Sequence, residues 1–217
     1  MRFQDREHAG RLLADRLTTY KAQNPLVLAI PRGGVPMAQI IADSLVGELD
    51  VVLVHKLGHS SEPELAIGAV DESGDFILLD YFHEVAPEYL EAEKNRQLDR
   101  LGQRRRLYTP LRAPINCHQR IVIVVDDGVA TGSTMTAALR VVRARRPAKL
   151  IAAVGVASPQ AAHLMEQETD AFVCLNMPAH FHAVGQFFKD FSQVSDEAVI
   201  RMLGQRESKV LPIGRSP

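Results

Sequence analysis

The run Ile121-Val122-Ile123-Val124-Val125 constrains the fold of this chain more than any other segment. Five consecutive β-branched residues without polar alternation read as a strand covered on both faces, the kind found inside a parallel sheet. Two carboxylates follow at once, Asp126 and Asp127, and then Gly128-Val129-Ala130-Thr131-Gly132-Ser133-Thr134. Gly128 and Gly132 permit backbone angles closed to other residues. Thr131, Ser133 and Thr134 stand where a helix begins, with N–H groups pointing outward. A strand feeding a glycine turn and a helix start makes an anion site. A phosphate there collects backbone N–H bonds, hydroxyl bonds and the positive end of the helix dipole. The preceding carboxylates are placed to accept bonds from neutral hydroxyls beside that phosphate, so a sugar phosphate satisfies both halves. Neither the Gly-x-x-x-x-Gly-Lys-Ser/Thr of a P-loop nor a Gly-x-Gly-x-x-Gly turn occurs in the segment.

Around this segment, short apolar runs alternate with helical patterns, the signature of βαβ units. The expected elements are an amphipathic helix over Asp5 to Tyr20, strand Leu26–Ile30, helix Val35–Val46 and strand Val51–Val54. A hairpin follows, with Ala66–Val70 and Phe76–Leu79 flanking the turn Asp71-Glu72-Ser73-Gly74, then a long helix over Pro87 to Tyr108. The motif strand 121–125 and helix 133–145 lead to strand Leu150–Val154, helix Pro159–Gln167 and strand Ala171–Leu175. In open α/β sheets ligands collect at the carboxyl ends of strands, which directs attention to the segments after 30, 54, 125 and 175. At 217 residues the chain suits one α/β domain. Its 46% hydrophobic and 24% charged residues belong to a soluble globular protein. A formal charge of −1 gives no global pull toward nucleic acid or anionic membrane, so a polyanion site has to be local. Met1 to Glu7 lacks the apolar core of a signal peptide, no apolar run approaches the ~20 residues of a membrane span, and Cys117 and Cys174 stand alone. The expectation is a cytoplasmic protein with reduced thiols.

After the first strand comes Pro31-Arg32-Gly33-Gly34-Val35-Pro36. The two glycines let backbone N–H groups approach an oxyanion, Arg32 adds a fixed charge, and a helix start again lies behind them. Further on, His55-Lys56 leads into the polar stretch Gly58 to Pro63. The long helix carries acids first and Arg104-Arg105-Arg106 last, an order that complements the helix dipole. It reads either as a solvated helix with i,i+4 pairs or as an interface or polyanion-binding face.

Hydrophobic strand, Asp126-Asp127, short turn and Ala130-Thr131-Gly132-Ser133-Thr134 closely resemble the phosphoribosyl-pyrophosphate motif of the type I phosphoribosyltransferase family. The resemblance implies a twisted, mainly parallel sheet flanked by helices, in a single domain. Its core would span about 20–175, with an inserted long helix at about 84–109 and a small C-terminal hood at about 176–217. It implies transfer of a 5-phosphoribosyl group from phosphoribosyl pyrophosphate to a nitrogenous base or amine, as in nucleotide salvage. The alternative is a regulatory protein that senses phosphoribosyl pyrophosphate or a nucleotide.

In the family's terms, Asp126 and Asp127 would hold the ribose hydroxyls, Thr131, Gly132, Ser133 and Thr134 would anchor the 5-phosphate, and Gly128, Val129 and Ala130 would belong to the same donor-binding segment. Arg32, Gly33, Gly34 and Lys56 would face the pyrophosphate, and Phe181 would stack on the acceptor base. His55 stands where related chains often have arginine, and Gly58 to Pro63 matches a loop that closes over the reaction. Phe187, Phe188 and Phe191 read as hood or helix core. Magnesium would arrive with the donor rather than in a protein cage, since His180 and His182 have no third ligand nearby in the sequence. Homodimer formation is an expectation by analogy, and no membrane or nucleic-acid partner is expected. Ala130 stands where hypoxanthine-guanine members carry an aspartate, which points away from 6-oxopurine acceptors.

Overall fold

The computed structural model describes residues 1–59, 61, 66–74, 76–78, 86–110 and 113–210. Its centre is a five-stranded parallel sheet in the order β2-β1-β6-β7-β8, formed by β1 (Leu26–Ala29), β2 (Glu48–Val51), β6 (Ile121–Val129), β7 (Lys149–Ala157) and β8 (Ala171–Asn176). Three further strands, β3 (Val54–Gly58), β4 (Ala66–Asp71) and β5 (Phe76–Leu78), make a separate antiparallel sheet. The helices are α1 (Arg6–Arg16), α2 (Gly34–Leu45), α3 (Pro87–Tyr108), α4 (Ser133–Ala144), α5 (Pro159–Glu168) and α6 (Asp196–Val210). None of the helices among the described residues is long and apolar enough to cross a membrane.

Alternation along the parallel strands sorts the core into two layers. Val27, Ala29, Ile123, Val125, Ile151 and Ala153 join Leu13 of α1 and Met37 and Ile41 of α2. Their neighbours Leu26, Leu28, Val122, Val124, Leu150 and Ala152 join Met135, Leu139 and Val142 of α4 and Met165 of α5. Both faces are therefore dry, which explains why β6 shows no polar alternation before Asp126. The helices start where side chains or proline permit it. Asp5 caps α1 by accepting the His8 amide at 2.7 Å, and Ser158 caps α5 ahead of Pro159 by accepting the Ala161 amide at 3.1 Å.

The expected strand Val51–Val54 is not one strand. β2 ends at Val51, whose partner is Ala29, and β3 begins at Val54 in the other sheet, paired with Asp71. Val52 and Leu53 are buried between them, so an unbroken apolar run spans a change of sheet that hydrophobicity alone does not mark. The expected hairpin is present as β4 and β5. Helix α3 has the expected bounds but is not simply solvated: Glu93, Gln97, Leu101, Arg105 and Tyr108 form a buried stripe.

Chain order places a switch point at β1. From there the chain steps first to β2 on one side and later to β6 on the other. The carboxyl ends of β1 and β6 lie side by side, with Ala29 opposite Val125, and a ligand crevice belongs at such a point.

Candidate active site

Strand β6 runs on through the acidic pair to Val129, pairing Gly128 with Val156 and Val129 with Ala157 of β7. Gly128 thus lies within a strand and not in a left-handed turn. It is glycine for space, because a Cβ there would sit 2.6 Å from Val184 and 2.7 Å from Val156. Gly132 does use a left-handed conformation, with φ of 86°. It precedes α4 without a side-chain cap, so the first-turn amides of α4 are not taken by a capping side chain. Thr131 and Thr134 are exposed, and the hydroxyls of Thr131 and Ser133 lie 2.8 Å apart. Ser158 fixes the loop from behind by donating to the Ala130 carbonyl at 2.7 Å.

The loop after β1 leans against this strand end. The Ile30 amide donates to the Val125 carbonyl at 2.9 Å, and the Pro31–Arg32 peptide is cis. A Cβ on Gly33 would collide with the Asp127 carboxylate, and one on Gly34 with the Val125 carbonyl. Only glycine lets this loop approach so closely. The loop after β1 is therefore brought against Asp127, the residue from which the chain enters the second glycine segment. Arg32 is partly exposed and pairs at 3.5 Å with Asp196 at the start of α6, which also accepts the Tyr108 hydroxyl at 2.5 Å. Burial, followed by that hydrogen bond, pushes the Tyr108 phenol up to about 12.

Asp127 has a partner that sequence reading missed. The Nε of Arg6 donates to its Oδ2 at 2.8 Å, and both side chains are only 12% exposed. The only sequence signal is weak: a cation in the first turn of α1 opposes the helix dipole and needs a reason to be there. Asp126 accepts the Asp127 amide at 2.8 Å. Burial, and then the neighbouring Asp127, raise the Asp126 carboxyl well above its ordinary value. Burial also raises Asp127, against the pull of Arg6.

The remaining expected site residues are more scattered. Lys56 is exposed on β3, opposite Ala69, and among the described residues no hydrogen bond or ion pair links it to either glycine loop. His55 lines a groove of about 420 Å³ with Arg100, Leu101, Gln103, Arg104 and Leu107. Half of the expected closing loop, at 60, 62 and 63, lies outside the described residues. Phe181 is half-buried, with its ring centroid 5.5 Å from that of Phe187. Phe188 is core, 5.2 Å from Phe3 and 5.0 Å from Phe191, and a parallel bridge joins Phe3 to Phe188. The N-terminal residues therefore belong structurally to the expected hood. His180 and His182 are near one another in sequence, but among the described residues no three His, Cys, Asp or Glu side chains are grouped to hold a metal.

A phosphoribosyl transferase domain model matches residues 4–190. Two Mycobacterium tuberculosis proteins, "Putative phosphoribosyl transferase Rv0571c" of strain H37Rv and "Putative phosphoribosyl transferase MT0597" of strain CDC 1551, are each 40% identical over 204 residues. The matched stretch is 93% of this chain and 46% of each relative, so the chain spans about half their length. The crystal structure of TT1426 from Thermus thermophilus is similar with a TM-score of 0.87 at 45% identity, over 94% of this chain and 99% of that one.

Proposed function

The chain belongs to the family of phosphoribosyl transferase domains, and from that premise we propose that it moves a 5-phosphoribosyl group from magnesium-bound phosphoribosyl pyrophosphate to a nitrogenous base or amine. The observation that carries this reading is the close approach of the loop after β1 to Asp127, where β6 leads into the second glycine segment, at the switch point of the sheet. A donor with a phosphate at one end of its ribose and a pyrophosphate at the other has a loop for each.

The acceptor nitrogen attacks the anomeric carbon while the bond to pyrophosphate breaks, its electron pair leaving with the pyrophosphate, and the proton of the acceptor nitrogen passes to solvent. Positive charge grows on the ribose ring and negative charge on the leaving group. Asp126 and Asp127 hold the ribose hydroxyls and favour the ring cation. Arg32, the amides of Gly33 and Gly34, and Lys56 from the β3 side stabilise the leaving group. Gly128, Val129 and Ala130, held against β7 and Ser158, carry the chain from the carboxylates to Thr131, Gly132, Ser133 and Thr134, which anchor the 5-phosphate at the start of α4. Magnesium belongs to the donor complex as part of the substrate. Phe181 offers a ring face for the acceptor.

Ala130 supports an acceptor other than a 6-oxopurine. It offers no side-chain hydrogen-bonding group, and its carbonyl is engaged by Ser158. Pyrophosphate release measured separately with hypoxanthine, guanine, adenine, pyrimidines and simple amines tests this. The 6-oxopurines should be poor acceptors, and hypoxanthine emerging as the best would overturn the assignment. Donor binding without turnover on any acceptor would favour a sensing role. Failure of both the donor and ribose 5-phosphate to bind in calorimetry, with saturating magnesium, would sink the central reading.

A further inference from the structure

Arg6 is clamped on three sides. Its Nε holds Asp127, one terminal nitrogen donates to the Ser192 carbonyl at 2.8 Å, and the guanidinium carbon stands 3.9 Å above the centre of the Phe191 ring. Phe191 in turn packs on Phe188, which is joined to Phe3 by ring contact and backbone pairing. Asp190 and Lys189 continue the connection through their amides, which donate to the Gln4 and Phe3 carbonyls at 2.8 and 2.9 Å. One guanidinium thus joins the carboxylate beside the loop after β1 to the C-terminal segment at Phe191 and Ser192.

We propose that Arg6 is a positioning residue for phosphoribosyl transfer, fixing Asp127 from the hood side so that the carboxylate's orientation and the hood's seat are set together. The inference rests on the functional reading above. A buried pair is a poor device for stability alone, because desolvation of two charges offsets most of their attraction. Arginine is suited to joining three groups, since its planar fork addresses a carboxylate and a carbonyl while its face stacks on a ring. The guanidinium holds Oδ2, the oxygen beside Gly33, and so determines how the carboxylate faces the loop after β1. A displaced carboxylate loses transition-state contacts even when the ligand still binds.

Kinetics of Arg6→Gln, Arg6→Lys, Phe191→Ala and the Arg6→Gln/Phe191→Ala double variant test the proposal on the whole chain. The donor is phosphoribosyl pyrophosphate with magnesium, and the acceptor is whichever base turns over best. Arg6→Gln should lower kcat by roughly 10- to 100-fold with a much smaller change in donor KM. Arg6→Lys should recover part of the loss. Phe191→Ala should lower kcat although Phe191 is not assigned to any substrate, and should add no further loss in the Arg6→Gln background. Amide exchange over 187–192 should quicken in Arg6→Gln. Wild-type kcat in Arg6→Gln, or losses that simply multiply in the double variant, would overturn the proposal whatever happens to the melting temperature. A native chain that binds no donor would overturn the functional reading, and this inference with it.

Discussion

Asp126 is a carboxylate whose surroundings favour its protonated form. Burial and the adjacent Asp127 hold its pKa above that of the unfolded chain. A group raised in this way contributes stability below its unfolded pKa and loses it as pH climbs through the folded value. Above the ordinary carboxylate range this raised group therefore costs stability, and Asp126→Asn should raise the melting temperature there while depressing turnover. Scanning calorimetry across pH checks the sign, since the gain should vanish as pH falls toward the ordinary carboxylate range, about 4. A variant less stable at neutral pH would mean that the bond to the Asp127 amide matters more than the charge. At Thr131 the expected balance is reversed. The hydroxyl is exposed and lies against that of Ser133, so Thr131→Ala should leave folding intact. If it meets the 5-phosphate, removal should weaken ribose 5-phosphate binding by about 1.5–3 kcal/mol, or about 10- to 150-fold. Equal losses of stability and binding would mark the hydroxyl as structural. These residues were legible because strand, turn and helix start adjoin in sequence. Arg6 was not, because nothing local ties it to a carboxylate 121 positions away.

Helix α3 shows the same divide at the level of an element. Its length and bounds follow from an acidic start, a basic end and Pro87 in the first turn, all local features. The role of Arg105 does not follow from them, for in sequence it is the middle of three arginines with the same helix-end preference. In the fold it is buried, donating to Asp50 at 2.7 Å and to the Val51 carbonyl at 2.9 Å, and pairing with Glu72. One side chain thereby joins β2 of the parallel sheet to the turn after β4 of the small sheet, across the break that hydrophobicity did not reveal. Arg105→Ala would remove the arginine from Asp50 and Glu72 in a site where burial already raises Glu72. The expected cost is about 3–5 kcal/mol, a fall in melting temperature of about 6–20 °C for a chain of this size. Lowering the pH should narrow the deficit, because the abandoned carboxylates can then protonate. A deficit that widens in acid would show that some other contact had been lost. Gly128 adds a smaller example: a glycine in the motif is visible in sequence, but its crowding against Val184 depends on how the hood folds back.

Across the whole molecule, the site is a consequence of strand order. Neither glycine loop would suffice alone. The step from β1 out to β2 and back to β6 sets the ends of two strands that each lead toward a helix side by side at the carboxyl edge of the sheet. The βαβ pattern foretold a parallel sheet, and the family resemblance foretold a phosphoribosyl transferase domain. The separation into two sheets and the folding of residues 3–6 into the hood depend on contacts between distant parts of the chain. A donor spanning both loops should consequently stabilise the whole fold and not one edge of it. At a free concentration 100 times its Kd, a ligand that binds only the native state contributes about 2.7 kcal/mol. For a chain of this length that is a rise of about 5–11 °C in melting temperature. Phosphoribosyl pyrophosphate with magnesium should produce that rise in a single cooperative transition. Ribose 5-phosphate, reaching only the loop before α4, should give a smaller shift at equal concentration because it lacks the second anchor. Thermal scans with each ligand, with and without magnesium, measure the difference. Equal affinities and equal shifts for the two ligands would mean that the loop after β1 contributes nothing to donor binding, and the role given to Arg32, Gly33 and Gly34 would have to be withdrawn.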